Sequence, residues 1–246
     1  MKKLFALLLA ACLVVGMTAC SSNAAKEEDI NAKSEGVMTF DEYWNTAVDA
    51  PVTVETYVQA KESWWQDAAV VYTEDGNGAY FLYNLPCTQE EYDKLTPGTK
   101  IRVKGYKAEY SGMVEISPES FEIISGPSYV ASPMDVTNIF ITENELAKHM
   151  GQLVTVKGLV VEPANDAGDA FMYNWDGSGQ EGSDVYFNLS LNGQVYSFNV
   201  RSYLCGPETA VYKAAQALQV GQTIDVECYL YWYNGPQPRV INITVK

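Results

Sequence analysis

The sequence predicts an all-β chain with short helices, built as two tandem five-stranded Greek-key barrels. Three observations carry that expectation. An internal repeat runs through nearly the whole body of the chain. Short apolar runs alternate with period two and are bounded by turn signals, the pattern of half-buried strands. A short helix falls at the same place in both copies.

The repeat opens on two T-x-x-E boxes, Thr39-Phe-Asp-Glu42 and Thr142-Glu-Asn-Glu145. At that spacing the threonine hydroxyl and the glutamate carboxylate satisfy backbone N–H groups that a helix start leaves free. Met38 with Tyr43, and Ile141 with Leu146, add apolar staples across each cap. A strand follows in each copy. Val52, Val54 and Val58 mark one buried face in the first, and Val154, Val156 and Val160 mark it in the second.

A hairpin comes next. Residues 69–73 and 79–84 flank Glu74-Asp-Gly-Asn-Gly78, and residues 185–191 and 194–200 flank Asn192-Gly193, a strong signal for a type I′ turn. Thr88-Gln-Glu-Glu91 then caps a helix that Pro97-Gly98 ends. The matching helix of the second copy starts at Gly206-Pro207 and stops at Gly221. Gly98-Thr-Lys-Ile-Arg-Val-Lys-Gly-Tyr106 lies over Gly221-Gln-Thr-Ile-Asp-Val-Glu-Cys-Tyr229, and Tyr110-Ser-Gly112 lies over Tyr233-Asn-Gly235. Final strands are expected over 114–124 and 239–245. The predicted domains are therefore 37–125 and 134–246, with a Gly/Pro/Ser linker at 126–133.

Five strands with a helix between the third and fourth is the topology of the OB-fold. On these residues the chain resembles bacterial OB-fold lipoproteins, including those described as anticodon-binding-like. The resemblance covers nearly all of the body, is topological, and implies a fold more than a function.

The start of the chain reads as an address. Lys2 and Lys3 precede an apolar run from Leu4 to Val15, too short to span a bilayer. Met17-Thr-Ala-Cys20 then resembles a lipobox, although the family pattern prefers leucine where Met17 stands. Residues 1–19 are expected to be a lipoprotein signal peptide and Cys20 the lipidated residue, palmitate being one of the expected acyl groups. Residues 20–36, polar and without apolar period, are expected to form a flexible tether. The predicted location is extracytoplasmic, anchored to a bacterial cell membrane.

Removing residues 1–19 leaves 227 residues with 14 basic against 31 acidic side chains, a net charge of −17. Nucleic-acid affinity comes largely from Lys and Arg displacing counterions, so this balance predicts nucleic acid to be an unlikely partner. His149 is the single histidine, and its place at a helix end suits a charge on the helix C-terminus. No G-x-S-x-G, H-E-x-x-H, C-x-x-C, Walker or dinucleotide motif is present, which points away from an enzyme, and no cofactor is expected. Cys87, Cys205 and Cys228 remain after processing. Cys205 with Cys228 is a candidate disulfide, and three buried thiols are the alternative.

Two other features bear on ligands. An acidic, Gly-rich insertion at 162–184 carries Asp166, Asp169, Asp176 and Asp184, oxygen ligands of the kind Ca²⁺ takes, though the spacing matches no EF-hand loop and a solvated acidic loop reads better. Trp64, Trp65 and Trp175 lie between the first and second strands of their repeats, and Tyr110, Tyr231 and Tyr233 lie near the turns between strands four and five. In OB-folds those two loops flank the ligand face. The alternative is packing, with Tyr229, Tyr231 and Tyr233 on an outer face against the other domain. The expected function is a non-catalytic, membrane-anchored binding module for an envelope protein, peptide or glycan. The alternative is an oligonucleotide-binding lipoprotein.

Overall fold

The computed structural model describes residues 29–246. The predicted signal peptide, Cys20 and the first part of the predicted tether lie outside them. Barrel 1 contains α1 (Phe40–Asn45), β1 (Pro51–Lys61), β2 (Ala68–Glu74), β3 (Ala79–Pro86), α2 (Gln89–Lys94), β4 (Lys100–Tyr110) and β5 (Met113–Ile123). Barrel 2 follows with β6 (Met134–Asp135), α3 (Glu143–Leu146), β7 (Leu153–Glu162), β8 (Met172–Tyr173), β9 (Val185–Leu191), β10 (Gln194–Val200), α4 (Ala210–Gln216), β11 (Thr223–Tyr229) and β12 (Arg239–Val245).

The strand order of the first barrel is β1-β2-β3-β5-β4, closed by β4 on β1. The third and fifth strands pair parallel and every other pair is antiparallel. The second barrel repeats that order as β7-β9-β10-β12-β11, again with the third and fifth strands parallel. Two closed five-stranded barrels with this order are OB-folds, as the repeat predicts.

Local chemistry explains the elements. Both predicted capping boxes of barrel 1 form, Thr39 with Glu42 and Thr88 with Glu91. Thr142 makes no side-chain cap: its helix runs only four residues before tightening into a 3₁₀ turn over Ala147–His149. His149 ends that turn and its Nδ1 lies 2.6 Å from Gln152 Oε1. In the β9–β10 hairpin Asn192 and Gly193 both take positive φ, 52° and 82°, as a type I′ turn demands. β1 serves both sides of its barrel because a bulge at Gln59 bends it between β4 and β2.

That bulge also fixes the segment predicted to be a linker. Gln59 is buried; its amide donates to Tyr129 O at 3.2 Å and accepts from Ala131 N at 2.8 Å. The segment 126–133 is thus packed on barrel 1. The end of the predicted tether is likewise docked. Lys33 donates to Asp75 Oδ2 at 2.6 Å and to Glu55 O at 2.7 Å, and Tyr57 OH donates to Ile30 O at 3.1 Å. Buried carboxylates recruit it: Asp75 and Glu55 are almost fully enclosed and require cations.

The barrels share a core. Val54, Val58, Val71, Leu82, Ile101 and Ile116 fill barrel 1. Val154, Val156, Phe187, Leu189, Phe198 and Val226 fill barrel 2, and Tyr72, Phe81 and Met113 of barrel 1 belong to the same continuous cluster. Tyr72 packs on Tyr229 with ring centroids 4.4 Å apart, and Phe81 meets Tyr231 at 5.5 Å. Backbone bonds cross the junction, from Ser63 N to Tyr203 O at 2.8 Å and from Asn234 N to Ser111 O at 2.7 Å. Gly112, at φ 86°, lies so near Trp232 that a Cβ there would stand 3.0 Å from its ring.

The three cysteines are unpaired thiols, so the candidate Cys205–Cys228 bridge is not formed. Cys228 is sealed in the barrel 2 core, and its burial pushes the thiol well above its ordinary value. Cys205 is only partly covered, at the edge of the same cluster.

Candidate functional site

Two loops of barrel 2 and one edge of barrel 1 enclose a cleft of about 620 Å³. The 162–184 insertion brings Trp175, and the start of β9 brings Tyr186. The end of β10 brings Asn199 and Arg201, while the segment after β11 brings Tyr231, Tyr233 and Gln237. Arg239 opens β12. Barrel 1 contributes Tyr83 from β3, Tyr110 from the end of β4 and Glu115 from β5. Four of the six aromatic residues singled out from sequence therefore meet here: Tyr110, Trp175, Tyr231 and Tyr233. Trp64 and Trp65 do not. Trp64 is half-buried, its Nε1 donating to Cys87 O at 2.9 Å, and Trp65 stands exposed on the barrel 1 loop.

The rim is aromatic and open. Trp175 is 73% exposed and makes no ring contact among the described residues, while Tyr110 and Tyr233 touch across the two barrels with centroids 6.1 Å apart. These rings form an exposed aromatic patch at the mouth of the cleft. Tyr231 is different. It is buried, with the Arg239 guanidinium 3.6 Å from its ring centroid.

Beneath the rim lies a charged floor. Arg239 donates to Glu62 Oε1 at 2.8 Å and to the Tyr72 hydroxyl, and Tyr72 OH donates to Glu62 Oε1 at 2.8 Å. Glu62, Tyr72 and Arg239 are all buried, so this network bridges the barrels in a low-dielectric setting where each partner needs the others. Arg201 pairs with Asp184 at 2.6 Å and with Glu62 at 3.4 Å. Burial works against its charge, and the two carboxylates outweigh it. Three buried side-chain atoms of this floor have no hydrogen-bond partner among the described residues: Asn199 Oδ1, Arg201 Nε and Arg239 Nε. The Glu115 carboxyl is pushed up to about 7 by burial, with Arg239 pulling the other way.

The four aspartates proposed as oxygen ligands do not converge. Asp184 is engaged by Arg201 and Ser202, Asp169 accepts from Asn165, Asp176 accepts from Ser178 N, and Asp166 is exposed. No group of three or more His, Cys, Asp or Glu able to hold a metal exists among the described residues.

Sequence reading missed Tyr83, Glu115, Tyr186, Asn199, Arg201, Gln237 and Arg239. One signal was present: the chain has only three arginines, and two of them line this cleft.

No family model and no curated protein matches the chain. Among solved structures it is similar to a deletion mutant of the single-stranded DNA-binding protein from Thermus aquaticus, at 14% identity over 82% of this chain and 96% of that one, with a TM-score of 0.27. A p204 HINb domain aligns at 9% identity over 81% and 98%, TM-score 0.33. A murine DNA-binding protein bound with double-stranded DNA aligns at 12% over 80% and 98%, TM-score 0.30. DNA-binding proteins thus stand among the neighbours, and this corrects the expectation that nucleic acid is an unlikely partner. The physical reason is local: net charge describes the whole chain, whereas a groove binds through the few side chains that line it. What those proteins bind is theirs, since likeness at this level transfers no function.

Proposed function

We propose that this chain is a non-catalytic tandem OB-fold module that takes a short single-stranded stretch of nucleic acid in the cleft between its barrels. One observation supports this above others: six aromatic rings and two of the three arginines converge where strands and loops of an OB-fold form its ligand face. Successive bases stack on such rings without regard to sequence, at about 1–3 kcal/mol per base. A catalytic role has no support in the side chains present, because the cleft holds no nucleophile with an adjacent base. The Met17-Thr-Ala-Cys20 pattern supports display of this module from a membrane by acyl chains on Cys20.

Titrating the soluble body with short single strands, and following tryptophan fluorescence, tests the binding. Quenching that saturates, and is lost in Trp175→Ala, supports the reading. No response to any strand, alongside capture of peptide or glycan probes on arrays, replaces it. For the anchor, wild type and Cys20→Ala are fractionated. Identical distribution with no acyl mass on the wild type removes the lipid from the proposal.

A further inference from the structure

We infer that the cleft selects guanine, with the Glu115 carboxylate accepting from the N1–H and the exocyclic N2–H₂ of the base. This rests on the nucleic-acid reading above and names the base it prefers.

The argument begins with which charges are already spoken for. Arg201 is held by Asp184 and Glu62, and Arg239 by Glu62, by Tyr72 and by the face of Tyr231. Neither guanidinium offers a free fork of the kind that clamps a phosphate. Glu115 is the opposite case. It lines the cleft and is almost fully buried, and its carboxylate has no hydrogen-bond or ion-pair partner among the described residues. An ionised carboxylate only accepts, and so does a phosphate diester. The strand's backbone is therefore kept out of this floor, and the part that enters must bring donors.

The bases differ in the donors they bring. Adenine and cytosine each pair one amino group with a neighbouring ring-nitrogen acceptor. Thymine and uracil set one N–H between two carbonyls. Guanine alone presents two adjacent donors on its Watson–Crick edge, which match the two oxygens of one carboxylate. Its remaining acceptors, O6 and N7, suit the donors of the same floor: the Gln237 amide and the unpartnered Arg201 and Arg239 Nε–H groups. Asn199 Oδ1, enclosed and unpartnered, is a second acceptor lining the same cleft. The aromatic rim supplies the stacking face. Because the Glu115 carboxyl lies near 7, with Arg239, Tyr43 and Tyr231 as the titratable groups whose charges couple to it, the test belongs at about pH 8, where it is ionised.

Short thymidine strands carrying one central guanine, adenine or cytosine are titrated against the full soluble body, with free guanosine as competitor. The guanine strand is expected to bind about tenfold tighter or better than the others. Guanosine should displace it, and Glu115→Gln should erase the preference while all strands retain weak stacking affinity. Equal affinity for every strand overturns the guanine inference and leaves the nucleic-acid reading standing. Failure of every strand to bind overturns both. A folded Glu115→Gln protein that keeps the preference overturns the role of Glu115. Should that variant fail to fold, the base preference of the unaltered protein decides the matter alone.

Discussion

Two barrels with one strand order put their second and third strands to different use. In barrel 1 the side chains that leave those strands on the outer face include Tyr72 and Phe81, and barrel 2 covers them. In barrel 2 the corresponding strands present Tyr186 and Asn199, with Arg201 just beyond, and these line an open cleft. The topology is the same, so the difference lies in side-chain chemistry. An apolar outer face is removed from water by a neighbour, at roughly 25 cal/mol per Å² of apolar surface, whereas a polar and aromatic one can stay open to solvent. Barrel 1 still takes part in the cleft. It lends Tyr83, Tyr110 and Glu115 to the cleft of the other barrel.

The comparison breaks most completely if the junction is unpaired. Glu62→Ala leaves Arg239 buried without its carboxylate and is expected to cost about 3–5 kcal/mol of stability, read from urea midpoints, together with loss of the cleft. Unchanged stability would mean that the barrels are held by apolar contact alone.

A second junction group sharpens it through pH. Glu74, on β2, accepts from Leu153 N at 3.1 Å, and burial raises its carboxyl to about 7. Between its ordinary value of 4.5 and about 7 the folded state keeps a proton that the unfolded chain releases. Stability should therefore fall as pH rises through that window. Glu115, raised to about 7 as well, adds to the slope. Glu74→Gln should remove its share, making the protein more stable by about 2–3 kcal/mol at about pH 8 and no more stable near pH 4. Thermal melts across that range check the sign.

Smaller effects separate rim from loop. Trp175→Ala should weaken strand binding by about five- to a hundred-fold with the melting temperature unmoved, since its ring is exposed. Trp65→Ala removes an equally exposed ring from the corresponding loop of barrel 1, which lies outside the cleft. It should leave binding unchanged and stability within about 0.5 kcal/mol. Loss of binding there would put the site on barrel 1.

Local pattern carried much of the fold into the sequence. Asn192-Gly193 dictates its hairpin because both residues tolerate positive φ, and the alternating valines of β1 lie in its barrel's core. In β7 the alternation holds for Val154 and Val156 but shifts at Gly158, φ 70°, so that Leu159 and Val161 face the core where the pattern predicts Val160. After β11 the alternation does not carry through: Tyr231 is buried along with Leu230 and Trp232, and only Tyr233 turns outward. The cleft was harder. Which aromatic loops meet depends on how one barrel sits on the other, and that is set by contacts such as Glu62 with Arg239, 177 positions apart. No local period records such a pair. Nor does composition: Thr142 fulfils the capping pattern and caps nothing, because the four-residue helix after it passes at once into a tighter turn.

The shared core also has a consequence for the order in which the chain is made. Barrel 1 leaves the ribosome complete while the strands that cover Tyr72, Phe81 and Met113 are still unsynthesised. For that interval it carries an apolar patch on its surface, with Glu62 lacking the arginine that neutralises it. Exposed apolar surface of this kind is what chaperones retain and what drives premature association. The last strand to emerge, β12, begins with Arg239. Its arrival closes barrel 2 and, in the same step, delivers the counter-charge that seals the junction.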